Sequence, residues 1–153
     1  MLDFLEIIKE KGGGDLLFDA DIETWNEVLN EKPKITRDDE STDYFWSKSG
    51  ISYFDYNDGT KEMTVIVKKQ KKLSYKGVGI SEDNNIDVHR AMCELDGEPM
   101  HKLGYTYLFN LGICLIDFYE FSGGQDDRVV SIFTPGTYSK TGKRMRKLEE
   151  SEW

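Results

Sequence analysis

The sequence predicts an α+β protein: tandem units of helix, strand, strand, strand that together form one antiparallel sheet of about six strands with the helices on one face. Three observations carry that reading. Two helical windows repeat the same pattern at a constant shift, two aromatic-rich strand patterns repeat around a Gly-Ile pair, and each helical window is closed by a proline. The chain has 153 residues, 38% hydrophobic and 12% aromatic. That is enough for one domain spanning 1–153, since a domain of about 150 residues buries about two-thirds of its unfolded surface.

Residues 1–11 are expected to form a short amphipathic helix stopped by Gly12-Gly13-Gly14. The first unit, residues 15–68, contains Asp21-Ile22 followed by Trp25, Leu29 and Pro33. The second, residues 81–135, contains Asp87-Val88 followed by Ala91, Leu95 and Pro99, each position shifted by 66. Ile22, Trp25 and Leu29 share a helical face beside Val28; Val88, Ala91, Met92 and Leu95 fall at i, i+3, i+4 and i+7. Asp19 or Asp21 is expected to cap the first helix, Asn84 or Asn85 the second, and the prolines stop them.

After a polar connection, Tyr44-Phe45-Trp46 with Ser49-Gly50-Ile51 and Asp55 matches Thr106-Tyr107-Leu108 with Leu111-Gly112-Ile113 and Asp117 at a shift of 62, so one loop is shorter by four residues. Each run predicts two strands about a tight turn. A third strand follows, Met63 to Val67 after Asn57-Asp58-Gly59 in the first unit and Val129 to Phe133 after a turn near Ser122-Gly123-Gly124 in the second. Lys68 to Ser81 connects the units, with a strand at Leu73-Ser74-Tyr75, and residues 138–153 form a polar tail or terminal helix.

Charge is unevenly placed. The chain carries 20 basic and 29 acidic residues, net −9; residues 15–62 carry −8 and 77–137 carry −7, while 63–76 carry +5 and 138–153 carry +2. Such a field repels phosphate backbones and steers cationic partners, so no direct nucleic-acid contact is expected. The runs Lys68 to Lys72 and Lys140 to Lys147 lack interleaved aromatics and read as solvated. Mean hydropathy is −0.59, and no apolar run approaches the roughly 18 residues of a spanning helix, so no membrane partner is expected. The acids within Met1 to Glu10 do not fit a signal peptide, and Cys93 and Cys114 fit reduced thiols; the expected compartment is the cytoplasm.

No motif names a reaction. Outside the carboxylates only His89, His101, Cys93 and Cys114 are available as metal ligands. His89 and Cys93 stand at i, i+4 on one helix, where they read as surface or boundary residues, and no second pair at ligand spacing follows; no metal and no cofactor are expected. The same pair read as a nucleophilic couple, or a cleft carboxylate, leaves a small enzyme as the alternative. Gly77-Val78-Gly79-Ile80-Ser81-Glu82 lacks the third glycine of a dinucleotide fingerprint and reads as a turn. Three consecutive aromatics put at least one of Tyr44, Phe45 and Trp46 outside the core. With Trp46 as candidate anchor, Asp38, Asp39, Glu40 and Asp43 would form the acidic rim of a protein-binding surface, and Asp126 and Asp127 a second acidic loop.

The duplicated pattern is an acidic helix with a Trp, then Tyr-Phe-Trp-x-x-x-Gly-Ile, an alternating strand, a Gly-containing turn and a Val-Ile-Val strand. It resembles small cytoplasmic immunity proteins encoded beside bacterial polymorphic toxins, including those of contact-dependent growth inhibition. The likeness rests on Trp25, Tyr44, Trp46, Gly50, Ile51, Val65 and Ile66, with Gly112, Ile113 and Ile132 in the second copy, and spans residues 15–135. It implies a protein without catalytic residues that binds the C-terminal domain of a cognate toxin, often a cationic nuclease, and blocks its active site or substrate channel. The tandem unit is also similar to the β-lactamase-inhibitor-protein architecture, but neither that scaffold's export signal nor its disulfides are expected here. The expectation is an immunity (antitoxin-like) protein, monomer or weak dimer, that neutralises a basic toxin domain by acidic occlusion. An adaptor of phage or mobile-element origin is a further alternative.

Overall fold

The computed structural model describes residues 3–68, 72–81, 84–118, 128–138 and 145–153. Among these the chain runs β1 (Phe4–Ile8), β2 (Gly12–Gly13), β3 (Leu16–Leu17), α1 (Ile22–Leu29), β4 (Lys34–Arg37), β5 (Ser41–Trp46), β6 (Ile51–Tyr56), β7 (Lys61–Ile66), β8 (Lys72–Tyr75), β9 (Val78–Gly79), α2 (Asn85–Asp96), β10 (Met100–Lys102), β11 (Tyr105–Leu108), β12 (Ile113–Ile116), β13 (Val129–Phe133) and β14 (Arg146–Lys147), with a 3-10 turn at Glu150–Glu152. The α+β class holds. The single six-stranded sheet does not: there is a nine-stranded sheet, in the order β14-β10-β11-β12-β13-β7-β6-β5-β4, and a five-stranded one, β3-β2-β1-β8-β9.

Each copy is a helix followed by four strands, not three, because the polar connection after each proline is itself a strand, β4 or β10. Its sequence hides it: Lys34-Ile35-Thr36-Arg37 is exposed on both faces and shows no alternation. The four-residue difference between copies lies in this first hairpin, where Lys34 pairs with Phe45 but Met100 with Tyr107. The two four-strand meanders join at the centre, β7 against β13, with Val65 opposite Val130 and Met63 opposite Ile132. One row of partners crosses the sheet from Trp46 through Ile51, Val65, Val130 and Leu115 to Thr106. Both helices pack on that face, Trp25 of α1 against Trp46 at one end and His89 of α2 against Thr106 at the other.

The helix caps follow the sequence. The Asp21 carboxylate accepts from the Thr24 amide at 2.9 Å and Asn84 from the Ile86 amide at 2.8 Å. Asn30 ends α1 and Gly97 ends α2, both left-handed. In α1 Trp25 and Leu29 of the expected face are buried and Ile22 and Val28 partly so. In α2 it is rotated: Val88 and Met92 are inside, but Leu95 is exposed and His89, Cys93 and Asp96 take its place. Residues 1–11 are a correction as well. Leu5 and Ile7 are buried while Phe4, Glu6 and Ile8 face outward, the period of a strand, and β1 pairs with β2 and, in parallel, with β8. The strand expected at Leu73-Ser74-Tyr75 is β8. The small sheet lies between the helices on the same face of the large one, adding Leu5, Ile7, Leu16, Leu73, Tyr75 and Ile80 to the core.

The duplication extends to single hydrogen bonds. The Ile66 amide donates to the Gly50 carbonyl at 2.9 Å, and the Phe133 amide to the Gly112 carbonyl at 2.9 Å, with the two glycines at φ +66° and +67°. A carboxylate at each helix C-terminus clamps the next turn: Glu31 accepts the amides of Lys48 and Ser49, and Asp96 those of Asn110 and Leu111. Their depth differs. Desolvation opposes these bonds in both; the amide donors prevail at Glu31 and lower its pKa, while burial prevails at Asp96 and raises it. Gly50→Ala places a Cβ 3.3 Å from the Ile66 side chain, whereas Gly112→Ala places one 2.7 Å from the Phe133 carbonyl oxygen. Both require a left-handed alanine, so chemical denaturation is expected to show losses of about 1–2 kcal/mol at Gly50 and about 3 kcal/mol or more at Gly112.

Candidate protein-binding surface

Two hairpin tips meet at one end of the large sheet. The Asn57 side-chain amide donates to the Asp39 carbonyl at 2.6 Å and its backbone amide to the Glu40 carbonyl at 2.8 Å, tying the β6–β7 turn to the β4–β5 turn. Asp38 builds the first tip by accepting the amides of Glu40 at 2.7 Å and Ser41 at 2.9 Å, bonds that hold its carboxyl below the usual range. Asp58 builds the second, accepting the amide and hydroxyl of Thr60. Acids therefore cluster at this end: Asp38, Asp39, Glu40 and Asp58 on the tips, Asp43 and Asp55 on the strands behind. The Ser41 hydroxyl donates to Asp43 at 2.6 Å, and Lys61 pairs with Asp55 at 2.9 Å. Beside them β4 forms the sheet margin, its four residues exposed.

Trp46 is not the anchor of this surface. It is fully buried, its ring stacked on Trp25 at 5.5 Å and its indole N–H donating to Asn26 Oδ1 at 2.9 Å. Pairing with Ile51 puts it on the helix-covered face, so the pleat sends Phe45 outward, 40% exposed, beside Lys34 of β4, while Ile35, paired with Tyr44, lies on the other face at 49%. Asp126 and Asp127, the turn near Ser122, and most of both basic runs lie outside the described residues.

The His89 and Cys93 pair is buried, not at the surface or its boundary. Burial, reinforced by Asp96, pushes the Cys93 thiol up to about 12, so it is protonated at neutral pH and lacks the thiolate a nucleophile needs. Its sulfur is 3.8 and 3.9 Å from the His89 ring nitrogens. Nδ1 of His89 is 3.0 Å from the Trp153 main-chain oxygen and Nε2 3.0 Å from the Thr106 hydroxyl. A neutral imidazole that donates from Nδ1 and accepts at Nε2 satisfies both. His89 also lines a cavity of about 330 Å³ with Ile86, Arg90, Phe118, Glu152 and Trp153, which Cys93 does not reach. Burial holds His89 below its ordinary pKa. The unfolded chain therefore binds a proton that the folded one refuses, and stability present above about pH 6.5 is expected to fall as pH drops through that value. His89→Gln should flatten the slope of urea-unfolding free energy between about pH 7 and 5.

The outer face of the sheet holds a group the sequence did not single out. Glu62 is buried and accepts hydroxyls from Tyr56 at 2.8 Å, from Ser131 and from Tyr138. Burial and this carboxylate raise the pKa values of both tyrosines, keeping them protonated donors. Its only sequence signal is an acid between the strand residues Lys61 and Met63, which is also what a solvated edge would show. A groove of about 660 Å³, open to solvent, lies between the end of α1 and the β5–β6 turn and includes Asn26, Glu31 and Lys48. Among the described residues no cluster of His, Cys, Asp or Glu could hold a metal ion, and no helix is long and apolar enough to cross a membrane.

No curated protein and no solved structure matches the chain. Residues 12–110 match the family described as "Domain of unknown function (DUF7738)", a span that opens in the small sheet and runs through both helices and the first meander into the second. With that stretch covering more than half of its 153 residues, the chain belongs to the DUF7738 family.

Proposed function

We propose that this protein is an immunity-type binding protein that neutralises a basic toxin domain by covering its active site with the acidic end of the large sheet. The observation that carries the reading is the meeting of the Asp38–Glu40 and Asn57–Gly59 tips beside the exposed strand β4. Charges presented from bonded turns need little ordering on association, and a nuclease that grips phosphates is cationic where such a surface would sit. The resemblance to toxin-linked immunity proteins and the net −9 point the same way. The cytoplasm is the compartment this reading implies. The enzyme alternative gains no support at Cys93, where thiol depth and protonation oppose nucleophilic chemistry.

The test is mixing the purified protein with the product of the adjacent toxin reading frame. A complex in low salt whose on-rate falls steeply with ionic strength is expected; no complex there would defeat the proposal. Asp39→Lys with Glu40→Lys is expected to slow association about tenfold or more and to flatten its salt dependence, measured by stopped flow, while the thermal midpoint stays within a few degrees. Asp38 is left intact in that variant because its carboxylate builds the turn.

A further inference from the structure

The margin formed by β4 complements itself. Among the described residues β4 pairs with β5 alone. The Asp38 amide donates across the hairpin to the Ser41 carbonyl at 3.1 Å. Backbone groups alternate sides along a strand, so Thr36 and Lys34 also turn theirs toward β5, and the N–H and C=O of Ile35 and Arg37 point away from the sheet. Such an edge is a template for another strand. Its charges run from positive to negative, Lys34 and Arg37 followed by Asp38, Asp39 and Glu40, a polarity that matches a second copy laid antiparallel.

We infer that two copies of this chain associate through β4 about a two-fold axis at Thr36, continuing the nine-stranded sheet from one molecule into the next. In that register Ile35 of each copy exchanges both backbone bonds with Arg37 of the other, Thr36 meets Thr36, and Lys34 lies opposite the other copy's Asp38 at both ends. The neighbouring registers are poorer. Sliding two residues one way puts Arg37 opposite Arg37; sliding the other way puts Ile35 opposite Ile35 and brings Pro33, which has no N–H, opposite Arg37. A slip of one residue sets outward groups against inward ones. Charges that deter unselective edge pairing therefore leave one arrangement open. A single strand edge is a small interface between two acidic molecules, so the association is weak, with a dissociation constant in the range of about 10 μM to 1 mM. This inference does not depend on any toxin partner.

Sedimentation velocity on the full chain from about 10 μM to 1 mM is expected to show a reversible monomer–dimer equilibrium. Arg37→Pro removes an outward amide without touching the β4–β5 bonds and should leave monomer only. Lys34→Glu and Asp38→Lys each place like charges opposite one another and should weaken self-association about tenfold or more, whereas an equimolar mixture of the two restores unlike pairs at both ends and should recover the dimer. Thermal melts verify that each variant is folded; if Asp38→Lys is not, Arg37→Pro and Lys34→Glu decide alone. A wild-type chain that stays monomeric at the highest concentration overturns the inference, as does a dimer indifferent to Arg37→Pro and Lys34→Glu.

Discussion

Trp25→Ala is expected to lower the unfolding free energy by about 3–5 kcal/mol and the thermal midpoint by about 10 °C or more. The indole has no exposed surface, lies 5.5 Å from the Trp46 ring and 4.8 Å from Tyr53, and donates from Nε1 to the Leu17 carbonyl at 2.9 Å. That one side chain joins α1, the large sheet and β3. Alanine would leave a cavity bordered by two rigid rings, which collapse poorly into it, and would remove one of the two donors to the Leu17 carbonyl, the Ala20 amide remaining at 3.1 Å. Trp25→Phe keeps most of the apolar contact and loses the hydrogen bond, for about 1–2 kcal/mol. Urea denaturation of the three proteins checks both figures. A loss below about 1 kcal/mol for the alanine variant would show that Trp46 and Tyr53 repack across the gap.

The second large effect belongs to Glu62. Glu62→Ala is expected to cost about 3–5 kcal/mol, because it takes from the hydroxyls of Tyr56, Ser131 and Tyr138 the buried carboxylate that they share as acceptor. These groups come from both copies. Glu62 is on β7, Ser131 on its neighbour β13, and Tyr138 follows β13 and packs edge-on against Phe133 at 4.9 Å. The carboxylate thus stitches the central seam and holds the segment after β13 over it. Glu62→Gln retains an acceptor and should lose about half as much; Tyr138→Phe, which leaves two donors on the carboxylate, should lose about 1–1.5 kcal/mol. Equal losses for the alanine and glutamine variants would mean that the negative charge, not the count of acceptors, holds the cluster together.

The helices, their caps and the two meanders were legible because they rest on local rules: Asp21 and Asn84 before apolar stripes, and alternating residues on either side of Gly50-Ile51 and Gly112-Ile113. What could not be read depends on pairing. β4 carries no alternation, β10 is three residues long, and β2, β3 and β9 are two each, so the second sheet exists only through its partners. Tyr44-Phe45-Trp46 shows that Phe45 opposes its neighbours but not which face is covered; the pairing of Trp46 with Ile51 under Trp25 decides that. His89 and Cys93 look like a surface pair on a helical wheel because the strand and main-chain oxygen that enclose them come from elsewhere in the chain. The acidic tips were visible as composition. Their convergence was not, since Asn57 reaches Asp39 and Glu40 only after two hairpins have folded side by side.

The joint between β7 and β13 has a consequence for symmetry. Two separate halves meeting there would form a homodimer, in which every change appears twice and every outgrowth is mirrored. A covalent tether converts their encounter into an intramolecular event and frees each half to vary alone. The first half has tryptophan where the second has Ala91 and Leu108, and it closes its leading hairpin with three acids where the second uses Leu103-Gly104. The fused molecule is therefore lopsided, its first hairpin tipped with acids and the matching hairpin of the other half without them.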